Sequence, residues 1–297
     1  MWGVRVRPSR IVALLIVCAA PLPILNCQSV VLGTMNAPAR FGAYERRVDI
    51  AYGTHARQRL DVYVPSNPHR AHPIVIFWYG GAWLRGEKGQ YRFVAAALAK
   101  SGYVAVLPDY RTYPEGVFPQ FNDDGALAVR WVHEHAPELG GDRDAIFLMG
   151  HSAGAHLAAS LALDKRYLAA VGGDPRWIRG LIGLSGPYAL EPPPWPLWKI
   201  VFPEPYTADD WQPLRHASRD APPTLLLYGG DDWAMARDQA EALAKMLRSL
   251  NVPITAHRYP NTSHFGTVAA LSLPSFLGAP VIDDVNVFIA ETLAAGR

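Results

Sequence analysis

From Tyr44 onward, short apolar runs alternate with longer segments of helical composition, and this alternation constrains the fold more than any other feature of the chain. The apolar runs are rich in β-branched and aromatic residues, which favours strands. The predicted strands are Glu45–Tyr52, Leu60–Val64, Pro73–Tyr79, Tyr103–Leu107, Ala145–Met149, Leu181–Leu184, Thr224–Tyr228 and Ile254–Tyr259. The predicted helices are Tyr91–Lys100, Asn122–His135, Ser152–Leu163, Arg237–Leu250 and Asp283–Ala295. This order predicts an α/β fold, a mostly parallel sheet of eight strands flanked by helices on both faces.

One segment interrupts this alternation. Between Gly186 and Pro223 the chain contains ten prolines and three tryptophans. Proline lacks a backbone N–H and breaks the interior of a helix, so this segment is not an ordinary crossover helix. We expect residues 187–223 to form an excursion over the carboxyl edge of the sheet.

Composition excludes one class of function. A net charge of +2 over 297 residues gives no field that would attract nucleic acid. The chain also has no run of Lys and Arg and no glycine-rich phosphate loop, so we exclude nucleic acid as a partner. Half of the residues are hydrophobic and 18% are charged, which is enough apolar material for a large core.

The first 27 residues have a different character from the rest. Three arginines precede the short apolar stretch Ile11–Leu25, which is the pattern of a secretory signal peptide. This stretch is shorter than the roughly 20 residues that a membrane span needs. Cys27 ends a sequence similar to a bacterial lipoprotein cleavage site, although Asn26 stands where a small residue is normal. We expect an exported protein, periplasmic, secreted or membrane-anchored, with cleavage, lipidation and a retained anchor as open alternatives.

The sequence Gly150-His151-Ser152-Ala153-Gly154 joins a predicted strand to a predicted helix. A serine at such a turn is lifted above the edge of the sheet, and glycine on either side tolerates the close backbone approach that the turn requires. A glycine-rich turn with no chemistry is the alternative. The strand before and the helix after favour Ser152 as a nucleophile, which requires a base, an acid and an oxyanion hole elsewhere in the chain.

Four histidines follow Ser152 and are candidates for the base. His156 lies one helical turn past the nucleophile, and His216 lies in the excursion. His257 falls inside the last predicted strand, where we expect its side chain to point into the packing of the sheet. His264 lies on the loop beyond that strand, so we predict that it takes the proton of Ser152 and later passes it to the leaving group.

An acid is expected after the preceding strand, where Asp231 and Asp232 are adjacent. One of them would orient the imidazole of His264, and the other would bond the backbone of its own turn. The oxyanion hole needs backbone N–H groups that face the reacting oxygen. We expect one from Ala153 and the others from the loop Gly80–Trp83, although a plain turn is the alternative there.

Together these segments resemble the α/β-hydrolase fold over roughly Tyr44 to Leu293. Within it they are similar to the hormone-sensitive-lipase-like esterases, above all the group with a His-Gly-Gly-x-Trp loop. That group contains isoprenylcysteine methylesterases, arylformamidases and small carboxylesterases. Asp109-Tyr110-Arg111, followed by Tyr113-Pro114-Glu115, resembles the segment that follows the fourth strand in the group. Residues 44–297 are therefore expected to form the catalytic domain.

The resemblance implies roles for individual residues. It favours Asp232 as the acid, because the family's acid lies three residues after a strand-ending glycine. It also matches Gly81 and Ala82 to the residues that donate the loop's N–H groups. The chain departs from the family at Tyr79, where the loop usually has a histidine that braces it. A tyrosine hydroxyl can form similar hydrogen bonds.

The predicted function is a serine esterase that cleaves small or aromatic carboxylic esters through an acyl-enzyme on Ser152. No cofactor is implied, and the histidines lack a paired spacing suited to zinc. An arylformamidase or amidase would use the same triad, and a catalytically retired exported binding protein is an alternative of another class. Four tryptophans are candidates either to line a substrate pocket or to pack the excursion onto the sheet: Trp83, Trp195, Trp198 and Trp211.

Overall fold

A computed structural model describes residues 31–67, 71–190, 196–274 and 277–296 of the chain. Its strands are β1 (Tyr44–Ala51), β2 (Arg59–Pro65), β3 (His72–Trp78), β4 (Val104–Pro108), β5 (Gly141–His151), β6 (Ile178–Leu184), β7 (Thr224–Asp231) and β8 (Ile254–Ser263). Each predicted strand overlaps one of these, and the largest differences are extensions at the ends of β5 and β8. The predicted leader, residues 1–27, lies outside the described residues.

The strands form one eight-stranded sheet in the order β1-β2-β4-β3-β5-β6-β7-β8. β1 pairs with β2, and β2 with β4, in antiparallel fashion, whereas every pair from β4 through β3 to β8 is parallel. The predicted fold class, a mostly parallel sheet with helices around it, is confirmed. Because parallel strands point the same way, the loops that follow β3, β5, β7 and β8 all begin at one edge of the sheet.

Helices follow the strands along the chain. They are α1 (residues 31–36), α2 (Arg92–Lys100), α3 (Gln120–His135), α4 (Ala153–Leu163), α5 (Lys165–Ala170), α6 (Pro196–Val201), α7 (Ala208–Trp211), α8 (Ala234–Ser249), α9 (His264–Ala269) and α10 (Val281–Ala294). In the part of the chain that the structure describes, none of the helices is long and apolar enough to cross a membrane.

The core lies on both faces of the central strands. Every residue from Ile74 to Trp78 in β3 is fully buried, which explains why this strand is apolar throughout and does not alternate. α4, which follows β5, is also buried along its whole length. Its composition of Ala and Leu suits this position, because small side chains let the helix lie close to the sheet. The central strands and α4 therefore provide a rigid base for the loops at the carboxyl edge.

β8 is the last strand in the sheet order, and its exposure corrects one expectation. The side chain of His257 was expected inside the packing of the sheet, but it is 47% exposed, with its Nδ1 3.0 Å from Oδ2 of Asp284. A strand at the edge of a sheet has a neighbour on one side only, so its residues are less covered than those of a central strand.

Candidate active site

Ser152 lies in the sharp turn between the end of β5 and the start of α4. Its backbone angles, φ 54° and ψ −121°, fall in a region that non-glycine residues rarely adopt. The surrounding structure holds it there, because its N–H donates to the carbonyl of Leu184 at the end of β6, at 2.9 Å. The turn lifts the hydroxyl to the edge of the sheet, which is the geometry of a nucleophile elbow.

The two glycines that flank Ser152 are required by close backbone contacts. A Cβ atom at Gly150 would lie 2.2 Å from the carbonyl oxygen of Gly154. A Cβ atom at Gly154 would in turn lie 2.1 Å from the carbonyl oxygen of Trp78, at the end of β3. No side chain fits at either position, so glycine allows β5, α4 and the end of β3 to meet around the serine.

The structure brings Ser152, His264 and Asp232 together in one hydrogen-bonded row. Nε2 of His264 lies 2.9 Å from Oγ of Ser152, and its Nδ1 lies 2.8 Å from Oδ1 of Asp232. From the sequence we expected His264 on a loop beyond the last strand. In the structure β8 runs through Ser263, and His264 is the first residue of α9. The Ser263 side chain caps that helix by accepting from the N–H of Gly266, and this fixes the backbone at the histidine.

The two adjacent aspartates occupy different environments. Asp231 is the last residue of β7 and is exposed, whereas the side chain of Asp232 is completely buried beneath His264. Burial is the largest single influence and by itself would raise the pKa of Asp232, but the hydrogen bonds from His264, Ser185 and the N–H of Trp233, with the charge of His264, together hold that pKa below its usual value. Asp232 is thereby held as a carboxylate that faces the imidazole, as the resemblance implied.

The loop after β3 runs directly against Ser152. A Cβ atom at Gly80 would lie 2.9 Å from Cβ of Ser152. Beyond it, Gly81, Ala82 and Trp83 all have positive φ angles, of 137°, 55° and 59°. Glycine adopts such an angle freely, but Ala82 and Trp83 are strained by it, and strained backbone of this kind is concentrated at functional sites. Ala153 is the first residue of α4, so its N–H has no acceptor within the helix. Gly81, Ala82 and Ala153 are therefore the candidates for the oxyanion hole.

Tyr79, which stands where related loops have histidine, is fully buried between two other rings. It stacks on Tyr110 at 4.8 Å and on Tyr91 at 5.6 Å between ring centroids. Its hydroxyl donates to Oδ1 of Asp109 at 2.8 Å and accepts from Nη2 of Arg57 at 3.0 Å. The tyrosine therefore links the start of the loop to the segment after β4.

Asp109 and Arg57 extend this link to the far end of the loop. Asp109 also accepts the backbone N–H of Lys88 at 2.7 Å, and Arg57 donates to the carbonyl of Gly86 at 2.7 Å. Burial raises the pKa of Asp109, although the bonds from Lys88 and Tyr79 oppose this rise. The hydrogen bonds connect both ends of the segment between residues 79 and 88, which contains the candidate oxyanion loop.

His151 is a residue that the sequence reasoning did not single out. Its ring is buried next to the ring of His264, with centroids 5.0 Å apart, and its Nε2–H donates to the backbone carbonyl of His264 at 2.9 Å. Burial lowers the pKa of His151 to about 3, so the ring is neutral and the proton on Nε2 is retained for this bond. Its position directly before the serine was the available signal.

Trp233 was also not anticipated, although it follows the acid directly. Its indole stacks on the imidazole of His264 with ring centroids 4.7 Å apart and planes 1° from parallel. The residue nevertheless remains 66% exposed. An exposed aromatic ring therefore lies beside the candidate base at the mouth of the site.

Two of the tryptophans proposed to line a pocket are far less exposed than Trp233. Trp83 and Trp211 are only 2% and 6% exposed. Trp83 packs edge-on against Trp198 at 5.5 Å and against Phe202 at 5.1 Å, between ring centroids. In this conformation Trp83 packs the loop after β3 against the excursion, and the lining of a pocket by these tryptophans stays a prediction. Trp195 lies outside the described residues.

The other histidines after Ser152 do not join the row. His156 is buried, and its Nε2–H donates to the carbonyl of Trp211 at 2.7 Å, so it fastens the excursion to α4. His216 lies 3.7 Å from the carboxylate of Asp164. Among the described residues, no group of three or more His, Cys, Asp or Glu side chains is arranged to hold a metal ion.

The sheet topology and the hydrogen-bonded row together define an α/β-hydrolase with a serine, histidine and aspartate at its carboxyl edge. The chain belongs to the prolyl oligopeptidase family, whose model matches residues 122–273. A second family model, described as BD-FAE, matches residues 60–170.

Individual relatives agree with this assignment. The chain is 30% identical over 246 residues to a probable isoprenylcysteine alpha-carbonyl methylesterase of Arabidopsis thaliana, covering 75% of this chain and 52% of that protein. It is 31% identical over 272 residues to a probable carboxylic ester hydrolase of Mycobacterium tuberculosis, covering 84% of this chain and 62% of that protein. The match to these curated relatives spans between half and two thirds of their length. The predicted resemblance to the methylesterase and carboxylesterase group is confirmed.

A solved structure supports the fold. The hyperthermophilic esterase of the archaeon Pyrobaculum calidifontis superimposes with a TM-score of 0.73 at 25% identity, over 90% of this chain and 88% of that one. The folds of the two chains therefore agree over almost their whole length.

Proposed function

We propose that the protein is a serine carboxylesterase that hydrolyses small or aromatic carboxylic esters through an acyl-enzyme on Ser152. The observation that carries the proposal is the row from Ser152 Oγ through His264 to Asp232, with distances of 2.9 and 2.8 Å. A hydroxyl is a weak nucleophile until an adjacent base accepts its proton, and the base must itself be oriented by a third group. The three residues meet this requirement.

In the first half of the reaction, Oγ of Ser152 attacks the ester carbonyl while Nε2 of His264 accepts its proton. Negative charge develops on the carbonyl oxygen, where the N–H groups of Gly81, Ala82 and Ala153 would stabilise it. The C–O bond to the alcohol then breaks, and His264 transfers the proton to the departing alkoxide.

In the second half, water attacks the acyl group and gives its proton to His264. The bond between the carbonyl carbon and Oγ breaks, which releases the acid and returns the proton to Ser152. Throughout both halves, the carboxylate of Asp232 holds the Nδ1–H of His264 and stabilises the imidazolium.

A second candidate, cleavage of an amide by the same residues, is favoured by the match to the prolyl oligopeptidase family. The two differ in the leaving group, because a departing amine requires protonation more than an alkoxide does. Steady-state rates on a phenyl ester and an anilide with the same acyl group distinguish them. A higher kcat/KM for the anilide would favour the amidase.

We further propose that residues 1–27 export the protein, as a cleaved signal peptide, a lipidated segment or a membrane anchor, and that residues 44–297 are its catalytic domain. The support is the order of basic and apolar residues in the leader. Mass spectrometry of the mature N-terminus distinguishes the three forms, and a full-length cytoplasmic product would contradict export.

The test of the esterase proposal is labelling with a fluorophosphonate, which traps an activated serine, followed by turnover of esters with acyl chains of increasing length. We expect stoichiometric labelling of Ser152 and the highest kcat/KM for short or aromatic acyl groups. A protein that folds but neither labels nor turns over any ester would be a binding protein instead.

A further inference from the structure

The exposed indole of Trp233 lies directly beside the imidazole of His264. Among the described residues it is the only tryptophan that is exposed. Its backbone is fixed at both ends, because its N–H donates to Oδ1 of Asp232 at 2.8 Å and its carbonyl accepts the N–H of Arg237 at 3.2 Å. The ring is therefore displayed to solvent from a position tied to the catalytic acid.

The chemistry of the site determines which part of an ester comes near this ring. This step rests on the proposed function. His264 must deliver its proton to the alcohol oxygen, so the leaving group has to lie within hydrogen-bond reach of Nε2. Trp233 stacks on that imidazole at 4.7 Å and is 66% exposed. An alcohol held at Nε2 therefore lies beside the indole as it departs.

Two other rings near the site are covered by protein. His151, 5.0 Å from His264 between centroids, is only 4% exposed, and Trp83 is 2% exposed. Both are covered by protein, so neither offers a free surface to a leaving group. Aromatic rings stack on one another with a geometric preference that saturated rings of similar size lack.

We propose that Trp233 is a binding platform for the alcohol portion of the ester and selects substrates whose leaving group is aromatic. During acylation the bond from the carbonyl carbon to Oγ of Ser152 forms, the bond to the aromatic alcohol breaks, and that alcohol takes the proton from His264. Once the alcohol has left, the platform is empty. Trp233 therefore discriminates between substrates in acylation and is indifferent to their identity in deacylation.

The experiment compares benzyl acetate with cyclohexylmethyl acetate, two esters with the same acyl group and leaving alcohols of similar size. In the unmodified protein we expect kcat/KM to favour the benzyl ester. Trp233→Leu should lower that preference about 3- to 10-fold, whereas Trp233→Phe should retain most of it. Both esters form the same acetyl-enzyme, so the rate of deacylation should be equal for the two in every variant.

Phe41→Leu is the matched control, because Phe41 is 90% exposed and lines a groove that contains none of the catalytic residues. It should leave the preference unchanged. If Trp233→Leu lowered kcat/KM equally for the two esters, or for neither, the proposal that Trp233 binds the alcohol portion would be wrong.

A measurement on the unmodified protein is independent of how the variants fold. Benzyl alcohol and cyclohexylmethanol compete with water for the acetyl-enzyme, and we expect benzyl alcohol to be acetylated faster. Equal rates of acetylation for the two alcohols would contradict the proposed role of Trp233 without contradicting the proposed esterase activity. Failure of the unmodified protein to hydrolyse any ester would instead overturn the proposed function.

Discussion

The side chain of His151 is hydrogen-bonded to the backbone of His264, 113 residues further along the chain, with Nε2 at 2.9 Å from the carbonyl oxygen. The residue next to Ser152 therefore fixes the backbone of His264. The hydroxyl of Thr267 donates to the same carbonyl at 2.9 Å. These two bonds hold the first turn of α9 in place, so the imidazole of His264 is directed at Ser152.

The first prediction tests this bond. His151→Leu removes the donor and should lower kcat about tenfold with a smaller change in KM, because the base loses its alignment with the nucleophile. It should also lower the free energy of unfolding by about 1–3 kcal/mol. His151→Gln, whose amide can donate to the same carbonyl, should recover most of the activity. If the Leu and Gln variants were equally active, the bond would have no role in alignment.

The second prediction separates the two adjacent aspartates. Asp232→Asn should lower kcat on a p-nitrophenyl ester by about 10⁴-fold, because the amide cannot hold the required tautomer or stabilise the imidazolium. Asp231→Asn is the matched control and should change kcat by less than about threefold, because exposed substitutions away from the site have small effects. A larger loss in Asp231→Asn than in Asp232→Asn would transfer the role to Asp231.

The third prediction concerns the nucleophile. Ser152→Ala should reduce kcat by about 10⁴-fold or more and abolish fluorophosphonate labelling, because no acyl-enzyme can form. The circular dichroism spectrum should match that of the unmodified protein, which shows that the fold is retained. Turnover at the unmodified rate would exclude Ser152.

The fourth prediction tests the tyrosine at the start of the oxyanion loop. Tyr79→Phe leaves Asp109 and Arg57 without the hydroxyl that joins them, so it should lower the free energy of unfolding by about 1–3 kcal/mol. It should also reduce kcat more than it raises KM, because the loop acts on the charge that develops in the transition state. Tyr79→His, which introduces the residue usual in related loops, should be more active than Tyr79→Phe. The reverse order would show that packing of the ring, and not its hydrogen bonds, sustains the loop.

The fifth prediction concerns stability in acid. Burial lowers the pKa of His156 to about 4, whereas a histidine in the unfolded chain has a pKa near its ordinary value of 6.5. Between these values the unfolded state binds a proton that the folded state does not, so stability falls as the pH falls. His156 should account for about 2 kcal/mol of the decrease in the free energy of unfolding at about pH 5.

The measurement is urea unfolding at about pH 7.5 and about pH 5, on the unmodified protein and on His156→Gln. Glutamine keeps a donor for the carbonyl of Trp211 but does not titrate, so the variant should lose less stability between the two pH values. The same loss in both proteins would show that His156 does not contribute to the acid dependence.

Much of the architecture was readable from local patterns in the chain. The strand, turn and helix around Ser152 were predictable because the apolar run, the flanking glycines and the Ala-rich helix are adjacent in sequence. The chain order of nucleophile, acid and base followed from the order of the strands. His257 was predicted wrongly because its exposure depends on the position of β8 at the edge of the sheet, and sequence spacing does not reveal sheet order.

The sequence by itself determined the fold class and narrowed the catalytic groups to a few side chains, because secondary structure and turns depend on neighbours a few residues apart. The residues alone left Asp231 and Asp232 both open, and the family resemblance favoured Asp232. Only the tertiary structure decided how Tyr79 is bonded and that His151 and Trp233 flank His264. Those relationships join residues 22 to 113 positions apart, as do the bonds from His264 to Asp232 and Ser152. Their distances are set by the order and register of the strands that carry them, and no local pattern in the chain encodes that order.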